Sequence, residues 1–211
     1  MELLNENQMQ EILDTLYGKA LDGIPLVSKS IDELAYDYLS KNHHNASSAA
    51  KSLINYQTLK CGTSGFLTGL GGLITLPVAI PANVSSVLYV QMRMIATIAQ
   101  MGGFDTHADQ VQSLVYVCLT GSAAADIMKK SGIKVGERVA LNAIKSIPGK
   151  TLTQINQKVG MRLFTKFGEK GVVNLGKTIP IVGGVIGGGV DIASTRIIGG
   201  NAYRMFIDKL F

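Results

Sequence analysis

Ionisable side chains are scarce in this sequence. Of its 211 residues, 17% are Asp, Glu, Lys or Arg and 46% are hydrophobic, where an ordinary soluble domain carries roughly 25% charged residues. The shortage excludes a disordered chain. It also leaves more apolar surface than a normal hydrated exterior accommodates, so the surplus must face lipid, a partner or an unusually large core. Cysteine is nearly absent too. Cys61 and Cys118 are the only two, without CxxC or Cys/His ligand spacing, and two small buried hydrophobes fit better than a disulfide. No secretory leader is expected, since Glu2 and Glu6 stand where a signal carries bases before an apolar core. Neither end carries a lipidation motif. The expected compartment is the cytoplasm.

Catalytic motifs are also lacking. His43, His44 and His107 have no partner spacing suited to a metal. Gly62-Thr63-Ser64-Gly65 departs from G-x-S-x-G and stands in a helical setting rather than at a strand–turn–helix elbow. The glycines of 183–189 lack the G-x-G-x-x-G spacing, and no GxxxxGK[ST] occurs. No cofactor, metal or catalytic residue is expected, and the balance is against an enzyme.

What charge there is lies unevenly. Residues 1–60 sum to −3 and residues 61–128 to −2, whereas 129–177 carry eleven bases against Glu137 and Glu169 for +9, and 178–211 sum to +1. The blocks mark sections of one domain spanning 1–211. Amphipathic helices fill 1–60, apolar core helices 61–128, basic helices 129–177, and a glycine-rich segment 178–211.

Periodicity is helical throughout, with no hairpin signal. Leu3, Leu4, Met9, Ile12, Leu13, Leu16 and Ala20 predict a helix over 1–22, stopped by Gly23 and Pro25. Ser30 with Glu33 forms a capping box for the next, and a third covers about 46–60. From Cys61 to Met92 there are 32 residues without a formal charge. Pro77 and Pro81 split that run, so helices at about 64–76 and 83–101 form an apolar hairpin, with Asn83 at the N-cap of the second. So long an uncharged stretch exceeds what a small water-soluble fold should hide, and it is expected to meet lipid or another chain. Further helices are expected from Asp105 or Thr106 to Lys130, over 134–147 and 151–170, and from the glycine-rich run to Met205 or Phe206. The expected fold is all-α: a compact multi-helix bundle with a central apolar, Gly/Pro-broken hairpin and a C-terminal glycine-rich helix.

Three constellations stand out. Gly65/Gly69, Gly183/Gly187 and Gly184/Gly188 are four apart, and the second row continues through Asp191, Thr195 and Gly199. Small residues on one helix face let backbones approach closely, in lipid or in a soluble bundle; in lipid they also leave homo-oligomerisation and pore formation open. Ser86, Tyr89, Arg93 and Gln100 make a polar stripe on an apolar helix. A guanidinium there needs a carboxylate or water; Asp191 is the first suspect and Asp126 the second, and a structural salt bridge outweighs catalysis. Finally, Lys150, Lys158, Arg162, Lys166 and Lys170 form a basic row opposite Leu152, Ile155, Val159, Leu163 and Phe167. Such a helix suits anionic membrane lipids, against the plainer reading of a solvated face. Nucleic acid is excluded as a partner, since no aromatic platform or docking motif accompanies the bases.

Several stretches together resemble the EcsC family: Lys60–Phe66, the run Gly69–Asn83 with its Pro-x-x-x-Pro-x-Asn element, Tyr89–Ile95, Gly168–Gly176, Ile181–Gly184, and Asp191–Arg196 with Ser-Thr-Arg. The resemblance implies a helical, mainly bacterial protein without an established reaction. It also implies a link to secretion through an ABC transporter encoded beside the founding member. It marks Lys60, Asn83, Arg93, Glu169, Asp191 and Arg196 as family motif residues. The leading expectation is a membrane-associated, non-enzymatic protein at the inner face of the cell membrane, peripheral or partly inserted, binding anionic lipid or a membrane protein such as a transporter. The alternatives are a soluble helical adaptor and a glycine-zipper pore former. Arg93, Asp191, Arg196, Asn83 and Tyr89 are the candidates for a polar core cluster, and a lipid-acting enzyme would need a polar cavity around Arg93, Asp191 and Arg196 with a nucleophile or a metal.

Overall fold

The computed structural model describes residues 6–61, 82–136, 141–167 and 185–210, and the fold is all-α. Its helices are α1 (Glu6–Asp22), α2 (Ile31–Lys41), α3 (Ala46–Cys61), α4 (Ala82–Met101), α5 (Asp109–Leu119), α6 (Ala124–Lys130), α7 (Leu141–Lys145), α8 (Gly149–Phe167) and α9 (Val185–Ala202). A 3-10 turn at Gly121–Ala123 joins α5 to α6, and a π turn at Tyr203–Ile207 follows α9.

Met9, Ile12, Leu13, Leu16 and Ala20 put one face of α1 into the core, as their spacing requires. Gly23 ends the helix in the left-handed region at φ 80°, where a side chain would also strike the Ser28 carbonyl oxygen. Ser30 and Glu33 exchange the two hydrogen bonds of a capping box at the start of α2.

Helix α4 is the axis of the bundle. Every residue from Leu88 to Ala99 is buried, because α1, α2, α3, α5 and α9 all pack against it. The expectation that this charge-poor stretch meets lipid or another chain is therefore corrected for its α4 half. Five neighbours, the amphipathic α1 and α2 among them, supply enough apolar surface to wrap a helix that is apolar almost all round. The other half, with the expected helix 64–76 and the Pro77–Pro81 bend, lies outside the described residues. Among the described residues, no helix is long and apolar enough to cross a membrane.

Some boundaries also differ from expectation. Helix α5 starts at Asp109 rather than near Asp105 or Thr106, because Asp105 Oδ1 accepts from the His107 amide and the Thr106 carbonyl accepts from the Tyr17 hydroxyl. Those bonds hold a turn. The continuous helix expected to reach Lys130 is broken at Gly121, φ 63°, whose carbonyl accepts from Asn201 Nδ2 at 2.7 Å. Between α6 and α7, Gly132 and Gly136 adopt φ 78° and 92°, so the helix expected over 134–147 is, among the described residues, the single short α7. The π turn brings the Phe206 backbone against Gly102, and the Phe104 and Phe206 rings meet edge-on at 5.1 Å.

Candidate functional site

The polar stripe on α4 is an internal brace. Tyr89, 1% exposed, shares a 2.7 Å hydrogen bond with Ser28 Oγ, which in turn accepts from the Ile24 amide. Gln100 reaches Asp32 on α2 at 2.7 Å. Between them sits Arg93, 7% exposed, its Nη1 buried and without a hydrogen-bond partner among the described residues. Asp126 is not its counter-ion; that carboxylate pairs with Lys130 at 2.9 Å on the surface, one helical turn away. The side chains of Asp191, in α9, and Asn83, in the first turn of α4, lie outside the described residues. Arg196 is exposed on α9, on a different side from the buried Thr195. Of the five candidate residues, Tyr89 and Arg93 share a face and Arg196 is elsewhere.

Sequence reasoning missed the polar contacts that join helices. Gln91 Nε2 donates to Thr195 Oγ1 at 3.2 Å between α4 and α9, both residues buried. Gln57 Oε1 and Thr58 Oγ1, near the end of α3, are buried without a partner among the described residues. Between α1 and α5, Asp14 Oδ1 accepts from Gln10, Gln112 and the Tyr116 hydroxyl at 3.0, 2.9 and 2.7 Å. Burial, and then the Asp14 charge, push the Tyr116 phenol far above its ordinary range; burial and then Asp105 do the same for Tyr17. Both stay neutral donors. The signal available was an isolated polar residue in an apolar helix, which does not name its partner.

Of the small-residue rows, Gly65, Gly69, Gly183 and Gly184 lie outside the described residues. Gly187 and Gly188 fall within α9, but what they face is not described. The row's continuation does what the spacing implies: Thr195 is fully buried, and a Cβ on Gly199 would come within 2.9 Å of Ile54 Cγ2 on α3. Cys118 is a buried free thiol, whose pKa burial alone pushes up.

The basic surface is more extensive than one row. Leu152, Ile155, Val159 and Leu163 seat α8 in the core against α1 and α5. Lys150, Arg162 and Lys166 are exposed, and Lys170 lies outside the described residues. Lys158 departs from the expected free contact: it is half-buried, and its ammonium donates to the Lys130 carbonyl and, at 3.2 Å, to Ser131 Oγ. A cation on the open carbonyls at the end of α6 is a C-terminal cap. Lys129, Lys130, Lys134 and Lys145 add exposed bases around α8. Among the described side chains from 129 to 166 there are eight bases and no acid, and seven of the eight are exposed.

Alongside these bases runs an open groove of about 630 Å³ between α6 and α8. Ala123, Ile127 and Met161 give it apolar lining; Lys130, Lys158 and Arg162 give it positive charge, against the one carboxylate of Asp126 among the described lining residues. Among the described residues, no group of three or more His, Cys, Asp or Glu side chains could hold a metal ion. The arrangement can attract and seat anions. No curated protein and no solved structure matches the chain. The family model described as the EcsC protein family matches residues 28–207 of the 211, and the chain belongs to that family.

Proposed function

We propose that this protein is a non-enzymatic, membrane-associated member of its family that docks peripherally on anionic lipid at the inner face of the cell membrane. The face formed by α6, α7 and α8 is the contact surface. The observation that carries the reading is the set of seven exposed bases between Lys129 and Lys166, with no acid among the described side chains of that stretch and Asp126 the acid beside it on α6. Each base held near an anionic surface contributes about 1 kcal/mol, attenuated beyond a Debye length of roughly 10 Å at 0.1 M salt. Several acting together give reversible binding without any crossing helix.

Flotation with phosphatidylglycerol vesicles tests it. The wild-type chain should float at low salt and sink at high salt. Reversal of Lys129, Lys145 and Lys150 to Glu should abolish flotation while leaving helix content unchanged. A chain that stays at the bottom at low salt, or a triple reversal that floats like wild type, refutes the reading.

A second reading, docking of a membrane-protein partner, is favoured by the turn after α1. Leu26 is completely exposed at φ 64°, beside the exposed Val27, in a turn closed by Ile24 and Ser28. An apolar residue held in an unfavourable backbone region with no contact of its own suits an anchor awaiting a pocket. Substitution of Leu26 by Ser should leave vesicle flotation intact on this reading and weaken co-purification of the partner.

A further inference from the structure

The bases of α6 and α8 do not only coat a surface; two of them stand over an apolar trough. Lys158 ties α8 to the last carbonyl of α6 at one end, and from there the two helices flank an open groove of about 630 Å³. That volume lies within the roughly 300–1,000 Å³ usual for small-molecule sites. Ile127 and the half-buried Ala123 contribute apolar surface from the α6 side. From α8 comes Met161, 48% exposed, the one large apolar side chain that helix exposes among the described residues. Methionine is soft and unbranched, and it adapts to aliphatic chains of different shape.

Beside Met161 stands Arg162, which makes no hydrogen bond or ion pair among the described residues. Across the groove, Lys130 pairs with Asp126, but the two side chains are 65% and 61% exposed, and an exposed pair of this kind is easily exchanged. A planar guanidinium on one wall and an ammonium on the other are donors that phosphate oxygens take. Ser122, Gln157 and Thr165 add neutral hydrogen-bonding groups. None of the described residues lining the groove is aromatic, so a nucleotide base would find no stacking surface among them. Phosphate fits the cationic edge and an aliphatic chain fits the trough.

We infer that the groove between α6 and α8 binds one molecule of a phosphorylated amphiphile, its phosphate on Arg162 and Lys130 and its aliphatic part along Met161, Ile127 and Ala123. The site deepens the membrane reading and rests on the same charge, but it requires a discrete pocket where surface docking requires none. The amphiphile could be drawn from a bilayer or taken up free in solution, and the test separates these sources.

The full-length chain is titrated by calorimetry with dihexanoyl phosphatidic acid below its micelle concentration. Saturable one-to-one binding is expected. Dihexanoyl phosphatidylcholine, whose ammonium cancels the charge, and inorganic phosphate, which lacks the chain, should each bind at least about tenfold more weakly, the scale of one lost charge-assisted hydrogen bond for the first and of about two unburied methylenes for the second. Met161→Glu and Arg162→Gln should each weaken binding about tenfold or more, while Lys150→Gln, outside the groove on the same helix, should change it less than about twofold. Both groove side chains are exposed, and unchanged thermal melts verify the fold. Absence of saturation, or Met161→Glu binding like wild type, overturns the inference. Inorganic phosphate binding as tightly as the amphiphile does so as well, because it leaves the trough without a role.

The same variants are floated with phosphatidylglycerol vesicles. Wild type that floats but ignores the short-chain lipid sinks the groove and leaves surface docking standing. Wild type that binds short-chain lipid but does not float sinks surface docking, and identifies the ligand as one taken from solution. Loss of flotation in Met161→Glu together with loss of short-chain binding marks the bilayer as the source.

Discussion

Replacement of Gly199 by alanine tests directly how α9 meets α3. On propensity alone the change should help, because alanine is favoured over glycine in a helix interior by about 1 kcal/mol. The packing opposes it. A Cβ at 199 would lie 2.9 Å from Ile54 Cγ2, closer than real side chains approach, and a tight 3.0 Å from Ile54 Cγ1. Overpacking of this kind costs typically 1–3 kcal/mol, so Gly199→Ala should destabilise the protein by about 0–2 kcal/mol net. Ile54→Ala removes both offending atoms and costs about 2–4 kcal/mol by itself, since Ile54 is half-buried against the core. In that background Gly199→Ala should become stabilising by about 1 kcal/mol, giving a coupling of about 1–3 kcal/mol in a double-mutant cycle. Urea unfolding of the four proteins, followed by far-UV circular dichroism, supplies the numbers. Additivity of the two substitutions to within 0.5 kcal/mol would show that α9 does not rest on α3 through this glycine, and the close-packing account of the small-residue row would fail with it.

Two further outcomes follow from the interior. Tyr116→Phe removes the 2.7 Å bond to Asp14 and should cost about 1 kcal/mol at neutral pH. The phenol's folded pKa lies above its ordinary value of 10.0, so its contribution is complete below pH 10 and is lost as pH rises beyond it; melting curves from pH 9 to 11.5 should fall less steeply for the variant, and parallel curves would contradict the assignment. Arg93→Met keeps the apolar stem and deletes a guanidinium whose Nη1 has no partner among the described residues, so stability should hold or rise by about 1–3 kcal/mol; a loss of 2 kcal/mol or more would reveal a counter-ion bound to it.

How much of this was legible beforehand depends on the range of the interaction involved. The α1 face, the Ser30–Glu33 capping box, the limits of α4 and the buried side of α8 could all be read, because each is set by residues within about one or two turns of one another. The turn at 105–108 could not. It is held by the Tyr17 hydroxyl on the Thr106 carbonyl, a contact 89 residues apart in sequence. The break at Gly121 similarly depends on Asn201. The basic row was legible as a pattern, but Lys158's attachment to the end of α6 was not, since nothing local to α8 tells a free lysine from one that caps a neighbour. Likewise the groove exists only because α6 and α8 lie side by side. Met161 reads as an unremarkable methionine until Ile127 stands near it.

The low charge content and the concentrated basic face are two consequences of one arrangement. A helix enclosed on every side, as α4 is, adds apolar residues to the composition without adding apolar surface, so the scarcity of charge by itself does not require lipid. What it does is make the placement of the remaining charges matter more. Residues 1–60 sum to −3 and 129–177 to +9, and where such charge is spread unevenly in space a field exerts a torque that the same net +5 spread evenly would not feel. On the proposed reading, the uneven charge turns the α6–α8 side towards an anionic surface. Neutralising the exposed acids Glu11, Asp22 and Glu33 of α1 and α2 would raise the net charge to +8 without adding a base to the contact face. If orientation rather than total charge governs docking, that variant should gain far less affinity for anionic vesicles than the Lys129, Lys145 and Lys150 reversal loses.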